Sequence, residues 1–122
     1  MESILTSIKK LLGIEDAYEQ FDVDIIININ AAIMVLNQLG VGVVGFNITG
    51  KDATWKDFIG DAADLLPIQP FVYVSVRLAF DPPQNSFLVD AMRKQMEEMA
   101  WRLNLQAETE PWKHLFAKPE IE

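Results

Sequence analysis

The sequence predicts a mainly α-helical protein, a small helical bundle of about four helices with one β-hairpin between the second helix and the short helix that follows it. Apolar residues recur at helical spacing in several segments, and capping residues, glycines and prolines delimit those segments. Residues 43–53 instead alternate apolar and polar residues up to a turn. Half of the 122 residues are apolar, so we expect one helical domain over residues 1–104 and a partly ordered tail over residues 105–122.

Two helices are predicted in the first third of the chain. Residues 3–12 carry the apolar spacing of an amphipathic helix, and Gly13 stands where a C-terminal cap is expected. The second helix is predicted to begin with Asp22 as its N-cap and to end at Leu39, where Gly40 stops it.

The second helix is apolar nearly all round. Its predicted core face is a wide stripe formed by Ile25, Ile26, Ile29, Ala32, Ile33, Leu36 and Leu39. The opposite face carries Ile27, Met34 and Val35, which are also apolar. A helix of this kind must be covered on both sides, either by another subunit or by the chain's own segments, and both interpretations stay open. Ile27, Met34 and Val35 are therefore subunit-interface candidates.

A glycine-rich stretch follows the second helix. Residues 40–45 read GVGVVG and match the G-x-G-x-x-G pattern of dinucleotide sites, but that mechanism requires a strand before the glycines and a helix after them. Here a helix precedes, so we predict the hairpin over residues 43–53 and no cofactor. The nucleotide interpretation survives only if a helix follows the glycines. Phe46, Ile48 and Trp55 are the candidates for hairpin or partner contacts.

The middle of the chain holds a short helix and an ambiguous segment. Thr54 and Asp57 have the spacing of a capping box, which predicts a short helix that ends at Gly60. Residues 71–80, FVYVSVRLAF, are rich in β-branched and aromatic residues, so local propensity alone favours a strand. The preceding Pro70 and the apolar spacing are instead compatible with a helix.

A long final helix is predicted from a cap at Asn85 and Ser86 to about Asn104. Its predicted core face consists of Leu88, Met92, Met96, Met99 and Leu103. Trp101 falls outside that stripe, so it is exposed unless a partner or the chain's own tail covers it. Trp101 is the fourth subunit-interface candidate.

Composition argues against enzymatic chemistry. There is no cysteine, and His114 is the only histidine, so we expect no catalytic, metal or cofactor site. The net charge of −8 offers no basic stripe for nucleic acid. Apolar runs stay shorter than a membrane span, and the N-terminus is no secretory signal, so we expect a cytosolic protein with no membrane partner.

Five segments together resemble a known family: SIKKLLGIED, INAAIMVLNQLGVG, GFNITG with TWKDF, VYVSVRLAFDPPQNSF, and RKQMEEMAWRLN. The chain resembles the head–tail connector (adaptor, or head-completion) proteins of long-tailed bacteriophages over residues 3–104. The most distinctive part is a helix-corner motif, Phe80, Asp81, Pro82 and Pro83, preceded by an arginine. On physical grounds this motif ends one helix and starts a tight corner, because the residue before a proline is pushed out of the α region.

The resemblance implies a structural role in the virion neck. Connectors of this family assemble into a ring, expected to be dodecameric, below the portal protein; the ring extends the DNA channel and meets the next neck or tail-completion protein. DNA passes through without specific binding, and assembly takes place in the host cytoplasm. The resemblance also implies that residues 71–80 form a helix and that the chain has no catalytic activity.

One alternative function stays open at this point. A small cytosolic helical interaction module, such as a dimeric regulator, would have the same fold but a self-complementary patch in place of a head-to-tail interface. The polar tail holds an isolated apolar cluster, and Trp112 and Phe116 are its contact candidates.

Overall fold

The computed structural model of the protein describes residues 3–60 and 68–109. These residues form five α-helices, namely α1 (Ile4–Leu12), α2 (Asp22–Gln38), α3 (Trp55–Ile59), α4 (Ile68–Phe80) and α5 (Ser86–Thr109). Their only β-pairing is an isolated antiparallel bridge between Ser3 and Thr54. The mainly helical fold class is confirmed, with five helices in place of about four.

The core forms where α2 packs against α1 and α4, and α5 packs on α4. Its central residues are Ile4, Leu5 and Ile8 of α1, Ile25, Ile29, Ile33 and Leu36 of α2, Phe71, Val72 and Val76 of α4, and Met99 and Leu103 of α5. The predicted C-terminal cap of α1 is confirmed, and the helix begins at Ile4, one residue after its predicted start. The Oγ of Ser3 accepts the N–H of Thr6, and Gly13 adopts a φ of +81° and donates its N–H to the carbonyl of Lys10.

The start of α2 differs from the prediction. Asp22 is the first helical residue and not the N-cap, and Phe21 occupies the cap position without a side-chain hydrogen bond. The Oδ1 of Asp22 instead lies 2.8 Å from the Nζ of Lys9 in α1. The predicted N-cap was wrong because a charged partner on another helix binds the side chain that would have capped α2.

The predicted β-hairpin over residues 43–53 is also wrong, because these residues contain no strand. An asparagine of α2 binds the backbone that a second strand would have bound. The Oδ1 of Asn30 accepts the N–H of Ile48 at 2.8 Å, and its Nδ2 donates to the carbonyl of the same residue at 3.0 Å. A two-stranded hairpin is marginally stable by itself, and here the helix side chain offers better-placed partners.

Asn37, two helical turns further along α2, holds the start of the same loop. Its Nδ2 donates to the carbonyls of Val41 and Val43 at 2.9 and 3.0 Å, and its Oδ1 accepts the N–H of Gly45 at 3.1 Å. The two asparagines therefore fasten the loop between α2 and α3 at both ends. Neither asparagine has a pattern in the sequence that predicts this role.

Asn37→Ala should lower the free energy of unfolding by about 1–3 kcal/mol, because it leaves the carbonyls of Val41 and Val43 without their side-chain donor. Asn28→Ala is the matched control, since it makes the same change in the same helix and Asn28 has no side-chain hydrogen bond to the described residues. Urea unfolding followed by circular dichroism measures both. Equal effects of the two substitutions would contradict the role given to Asn37.

The glycines of GVGVVG shape this loop and do not open a helix. Residues 41–54 contain no helix, so the context that the nucleotide pattern requires is missing. Gly42 and Gly45 have φ values of +80° and +79°, which side chains rarely adopt. A Cβ on Gly42 would also lie 2.3 Å from the ring of Phe58, whereas a Cβ on Gly45 meets nothing within 4 Å.

Gly42→Ala should therefore destabilise the protein more than Gly45→Ala. Both substitutions strain the backbone, at a cost of about 1 kcal/mol, and only Gly42→Ala adds the clash with Phe58, for a total of about 3 kcal/mol. Thermal unfolding of the two variants beside the parent protein measures the difference. A smaller loss for Gly42→Ala than for Gly45→Ala would show that the ring moves aside freely.

α3 begins with the predicted capping box. The Oγ1 of Thr54 accepts the N–H of Asp57, and the Oδ2 of Asp57 accepts the N–H of Thr54. The indole Nε1 of Trp55 donates to the Oγ of Ser7 at 2.8 Å inside the core. This bond fixes α3 on α1.

α4 is a helix, as the family resemblance implied and contrary to its β propensity. Ile68, Phe71, Val72, Val74 and Val76 are all buried, because α1, α2 and α5 surround this helix. Packing on several sides outweighs the weak intrinsic preference of β-branched residues for strands. Pro70 lies in the first turn, where a backbone N–H has no helical partner to lose.

The helix-corner motif ends α4 as predicted. The helix stops at Phe80, and the N–H of Asp81 donates to the carbonyl of Arg77. The Nε of Arg77 in turn donates to the carbonyl of Asp81 at 2.8 Å, and its Nη1 donates to the hydroxyl of Tyr73. Arg77 therefore closes the C-terminus of α4, which gives the arginine four residues before the aspartate a structural reason.

α5 begins at the predicted cap and runs further than predicted. The Oδ1 of Asn85 accepts the N–H groups of Phe87 and Leu88, and the helix continues to Thr109, five residues beyond the predicted end at Asn104. Its core face also needs one correction. Leu88 is exposed, while Met99 and Leu103 are buried and Met92 and Met96 are half-buried.

Candidate functional site

The outward side of α2 is apolar and exposed. Val23, Ile27, Ala31, Met34 and Val35 form this α2 outer face, with Ile27 60% and Met34 58% exposed. The chain carries no charged residue between Asp24 and Lys51, so α2 itself contributes no charged side chain to the centre of the face. Exposed apolar surface of this kind is typical of a contact site for another protein.

Trp101 lies on the outside of α5. Its side chain is 64% exposed, while Leu103 of the same helix is fully buried, so the sequence placed it correctly outside the core stripe. On the same helix Arg102 pairs with Glu98 at 3.4 Å between side chains that are themselves mostly exposed. A large aromatic residue among solvated charges resembles the anchor of a protein–protein interface.

The three hairpin candidates occupy less accessible positions. Ile48 and Trp55 are buried in this chain's own core, which leaves little of either side chain for a partner in this conformation. Phe46 is half-buried and packs on Phe58, with 5.1 Å between the ring centroids. Trp112 and Phe116, the tail candidates, lie outside the described residues.

A second exposed apolar spot was not identified from the sequence. Phe87, at the start of α5, is 84% exposed, and Leu88 beside it is also exposed. Leu88 has the spacing of a core residue, so periodicity alone points the wrong way. The sequence does indicate their exposure through their position. Both residues directly follow the helix cap at Asn85, where the preceding helix α4 has already ended and cannot cover them.

A groove opens beside the helix-corner motif. Leu12, Ile14, Phe21, Phe80 and Asp81 line this corner groove, whose volume is about 430 Å³. The ring of Phe21 meets that of Phe80 edge-on at 5.4 Å, and Tyr18 meets Phe21 in the same way at 5.7 Å. The groove is thus an apolar cleft with aromatic walls and one carboxylate at its edge.

The linker between α1 and α2 forms one side of this groove and is held by a buried lysine. The Nζ of Lys9 donates to the carbonyls of Asp16 and Tyr18 at 3.0 and 2.7 Å and contacts Asp22 Oδ1 at 2.8 Å. Lys9 is 0% exposed. The burial of Lys9 was not predicted from the sequence, although its position four residues after Leu5 places it on the apolar side of α1.

Asp16 fixes the middle of the same linker. Its Oδ1 accepts a hydrogen bond from the hydroxyl of Thr6, and its Oδ2 accepts one from Lys51 at 3.2 Å. These two bonds, first that of Thr6, hold the pKa of Asp16 below its ordinary value. The linker is therefore tied to α1 on one side and to the loop before α3 on the other.

The exposed side chains of this surface suit contacts with another protein. In the described parts of the chain, no three acidic or histidine side chains come close enough to hold a metal ion. None of the helices within residues 3–60 and 68–109 is both long and apolar enough to cross a membrane. The exposed features are an apolar helix face, isolated aromatic residues and an aromatic groove, all of which suit contacts between proteins.

The family comparison matches this picture. The family model of the phage connector protein matches residues 4–110, which include all five helices and the helix-corner motif. No curated protein and no solved structure shows a significant match to the chain. The match confirms the resemblance to phage head–tail connectors, and the chain belongs to the phage connector protein family.

Proposed function

We propose that this protein is a non-catalytic structural component of the virion neck that forms a ring below the portal, joins the DNA-filled head to the tail and extends the DNA channel. The observation that supports this most directly is the exposed, uncharged α2 outer face in a member of the phage connector family. In the isolated chain the side chains of Ile27 and Met34 are more than half exposed. Burial against a neighbouring subunit would remove Ile27, Met34 and Val35 from water together.

Two different patches favour a ring over a dimer. The α2 outer face and Trp101 lie on different helices. The α2 outer face of one subunit would therefore contact Trp101 of the next subunit. A head-to-tail contact of this type closes into a ring when its rotation divides a full turn, and the ring is expected to be dodecameric. A dimeric regulator would need one self-complementary patch.

The charge of the chain suits a channel through which DNA moves. With 18 acidic and 10 basic residues, the protein does not attract phosphate groups, and DNA is expected to pass without specific binding. A strongly basic lining would release counterions from the DNA and hold it in place. The portal protein and the next neck or tail-completion protein are the expected partners of the two rims of the ring.

Electron microscopy of the full-length protein mixed with the portal protein of the same phage tests this function. We expect ring density below the portal, with the α2 outer face between adjacent subunits. A stable dimer that adds nothing to the portal would contradict the proposal and favour the regulatory module. Mass photometry of the same sample distinguishes the two results without image processing.

A further inference from the structure

We propose that the corner groove binds the C-terminal segment of a neighbouring copy of this chain, with Trp112 and Phe116 as the inserted side chains. This inference rests on the proposed ring. It adds a second contact between subunits, separate from the α2 outer face and Trp101.

The sequence of the tail supplies a fitting ligand. Residues 112–118 read WKHLFAK, in which Trp112, Leu115 and Phe116 have the spacing of one face of a helical turn. One or two aromatic side chains match an apolar groove of about 430 Å³ with walls of Phe21 and Phe80. Edge-to-face contacts of the kind already present between these two rings would then extend to the inserted residues.

The charges of the two partners are complementary. Residues 112–118 carry two lysines and a histidine but no acidic residue, in a chain whose net charge is −8. The linker beside the groove has the opposite character, because residues 15–24 carry five acidic residues and no basic one. Lys9 pairs with Asp22, and Lys51 pairs with Asp16 and Glu19, which leaves Glu15 and Asp24 as the carboxylates of this linker without an ion pair to the described residues. Asp81 adds a carboxylate to the groove itself. A basic aromatic segment is therefore attracted to this site more than to the uncharged α2 outer face.

The tail cannot place Trp112 in the groove of its own chain. The Nδ2 of Asn104 donates to the carbonyl of Leu39, so this part of α5 lies at the far end of α2 from Phe21. The 18 residues from Phe21 to Leu39 put those two ends about 27 Å apart. α5 continues to Thr109, and the three residues from there to Trp112 span at most about 10 Å. The groove that Trp112 reaches must belong to another copy.

Disulfide trapping tests this contact cleanly because the chain has no cysteine of its own. Glu15→Cys places a thiol on the exposed residue that follows Ile14, which lines the groove. Ala117→Cys places a thiol beside Phe116 while both aromatic anchors remain. The two full-length variants are mixed, assembled on the portal and mildly oxidised. Because each chain carries one thiol, a Glu15→Cys to Ala117→Cys bond joins different copies, and it requires Cα atoms within about 7 Å.

We expect this mixture to give at least about tenfold more cross-linked dimer than Asp90→Cys mixed with Ala117→Cys, because a seated tail raises the local thiol concentration. Asp90 is exposed on α5 and serves as the matched control. The excess should disappear when Trp112→Ala and Phe116→Ala are added to the Ala117→Cys chain.

Four other results have defined meanings. No excess dimer on a ring that electron microscopy shows to be formed would overturn the tail contact and leave the proposed ring intact. A cross-link of Glu15→Cys to Ser86→Cys, without one to Ala117→Cys, would show that Phe87 of a neighbouring copy occupies the groove. That result would overturn the proposal. A cross-link only within single chains of the double variant Glu15→Cys/Ala117→Cys would also overturn it. Trapping in solution without any ring on the portal would support the tail contact and overturn the proposed neck function.

Discussion

Replacing the buried Lys9 with methionine is expected to lower the free energy of unfolding by about 3–5 kcal/mol. The ammonium group of Lys9 is fully buried, donates to the carbonyls of Asp16 and Tyr18 and forms an ion pair with the carboxylate of Asp22. Methionine keeps an unbranched apolar stem of similar length, so the loss comes from the charge and its bonds and not from a cavity. Asp22 would be left without a partner near the base of α2.

Lys10→Met is the matched control, because Lys10 is the next residue of the same helix and is exposed. That change should stay within about 0.5 kcal/mol of the parent protein. Chemical denaturation of both variants and of Lys9→Met/Asp22→Asn provides the test. The double variant should recover part of the loss, since it removes the orphaned charge. If Lys9→Met were as stable as Lys10→Met, the lysine would not hold the linker.

Capping residues and family motifs predicted most of the helices. Gly13, the Thr54 and Asp57 pair and Asn85 all act as caps where the sequence predicted them, because a cap depends on residues within one turn of it. α4 shows the limit of such local reasoning. Its composition favours a strand, and only the packing of three other helices around it makes a helix the better solution.

The wrong N-cap of α2 and the wrong hairpin share one cause, which is a polar side chain that binds a distant part of the chain. Asp22 pairs with Lys9, 13 residues earlier, and Asn30 binds Ile48, 18 residues later. Rules based on residue spacing within one helix or strand cannot predict contacts over such separations in sequence. The alternation of Val44, Phe46 and Ile48 predicted the hairpin. That pattern does not reveal that an asparagine side chain of α2 binds the backbone in place of a second strand.

The exposure of the interface candidates was predicted better than the conformation of the loop after α2. The exposure of Ile27, Met34 and Trp101 follows from helical periodicity alone, because the position of a residue along a regular helix determines the face on which its side chain lies. Phe87 and Leu88 could not be placed in this way. Their exposure depends on where α4 ends relative to the start of α5. The geometry of the corner between the two helices determines this, and the periodicity of either helix does not.

Met34→Lys and Trp101→Ala are expected to abolish ring assembly on the portal while leaving the monomer folded. Both side chains are mostly exposed in the isolated chain, so each change should alter its free energy of unfolding by no more than about 0.5 kcal/mol. At an interface the same changes cost far more. Loss of an aromatic anchor typically costs about 2 kcal/mol or more, and a lysine at Met34 would bury a charge without a partner.

Gln38→Lys and Arg102→Ala are the matched controls, since both residues are exposed on the same two helices but do not contribute apolar contact area. Thermal unfolding of the monomers and negative-stain microscopy of the portal mixtures measure folding and assembly separately. Rings that form normally with both Met34→Lys and Trp101→Ala present would contradict the interface. Unfolding of the isolated monomer by either change would instead assign that side chain to the chain's own core.

A ring amplifies the effect of these substitutions. Every boundary between subunits contains the same contact, so a loss of about 2 kcal/mol at one boundary is repeated around the whole circle. Each such loss weakens a pairwise contact roughly thirtyfold, because 1.4 kcal/mol corresponds to a factor of ten. A dimer has only one boundary between subunits, so the loss is not repeated in the same assembly. The steepness of the loss in a titration of variant into parent protein therefore distinguishes a closed ring from a dimer.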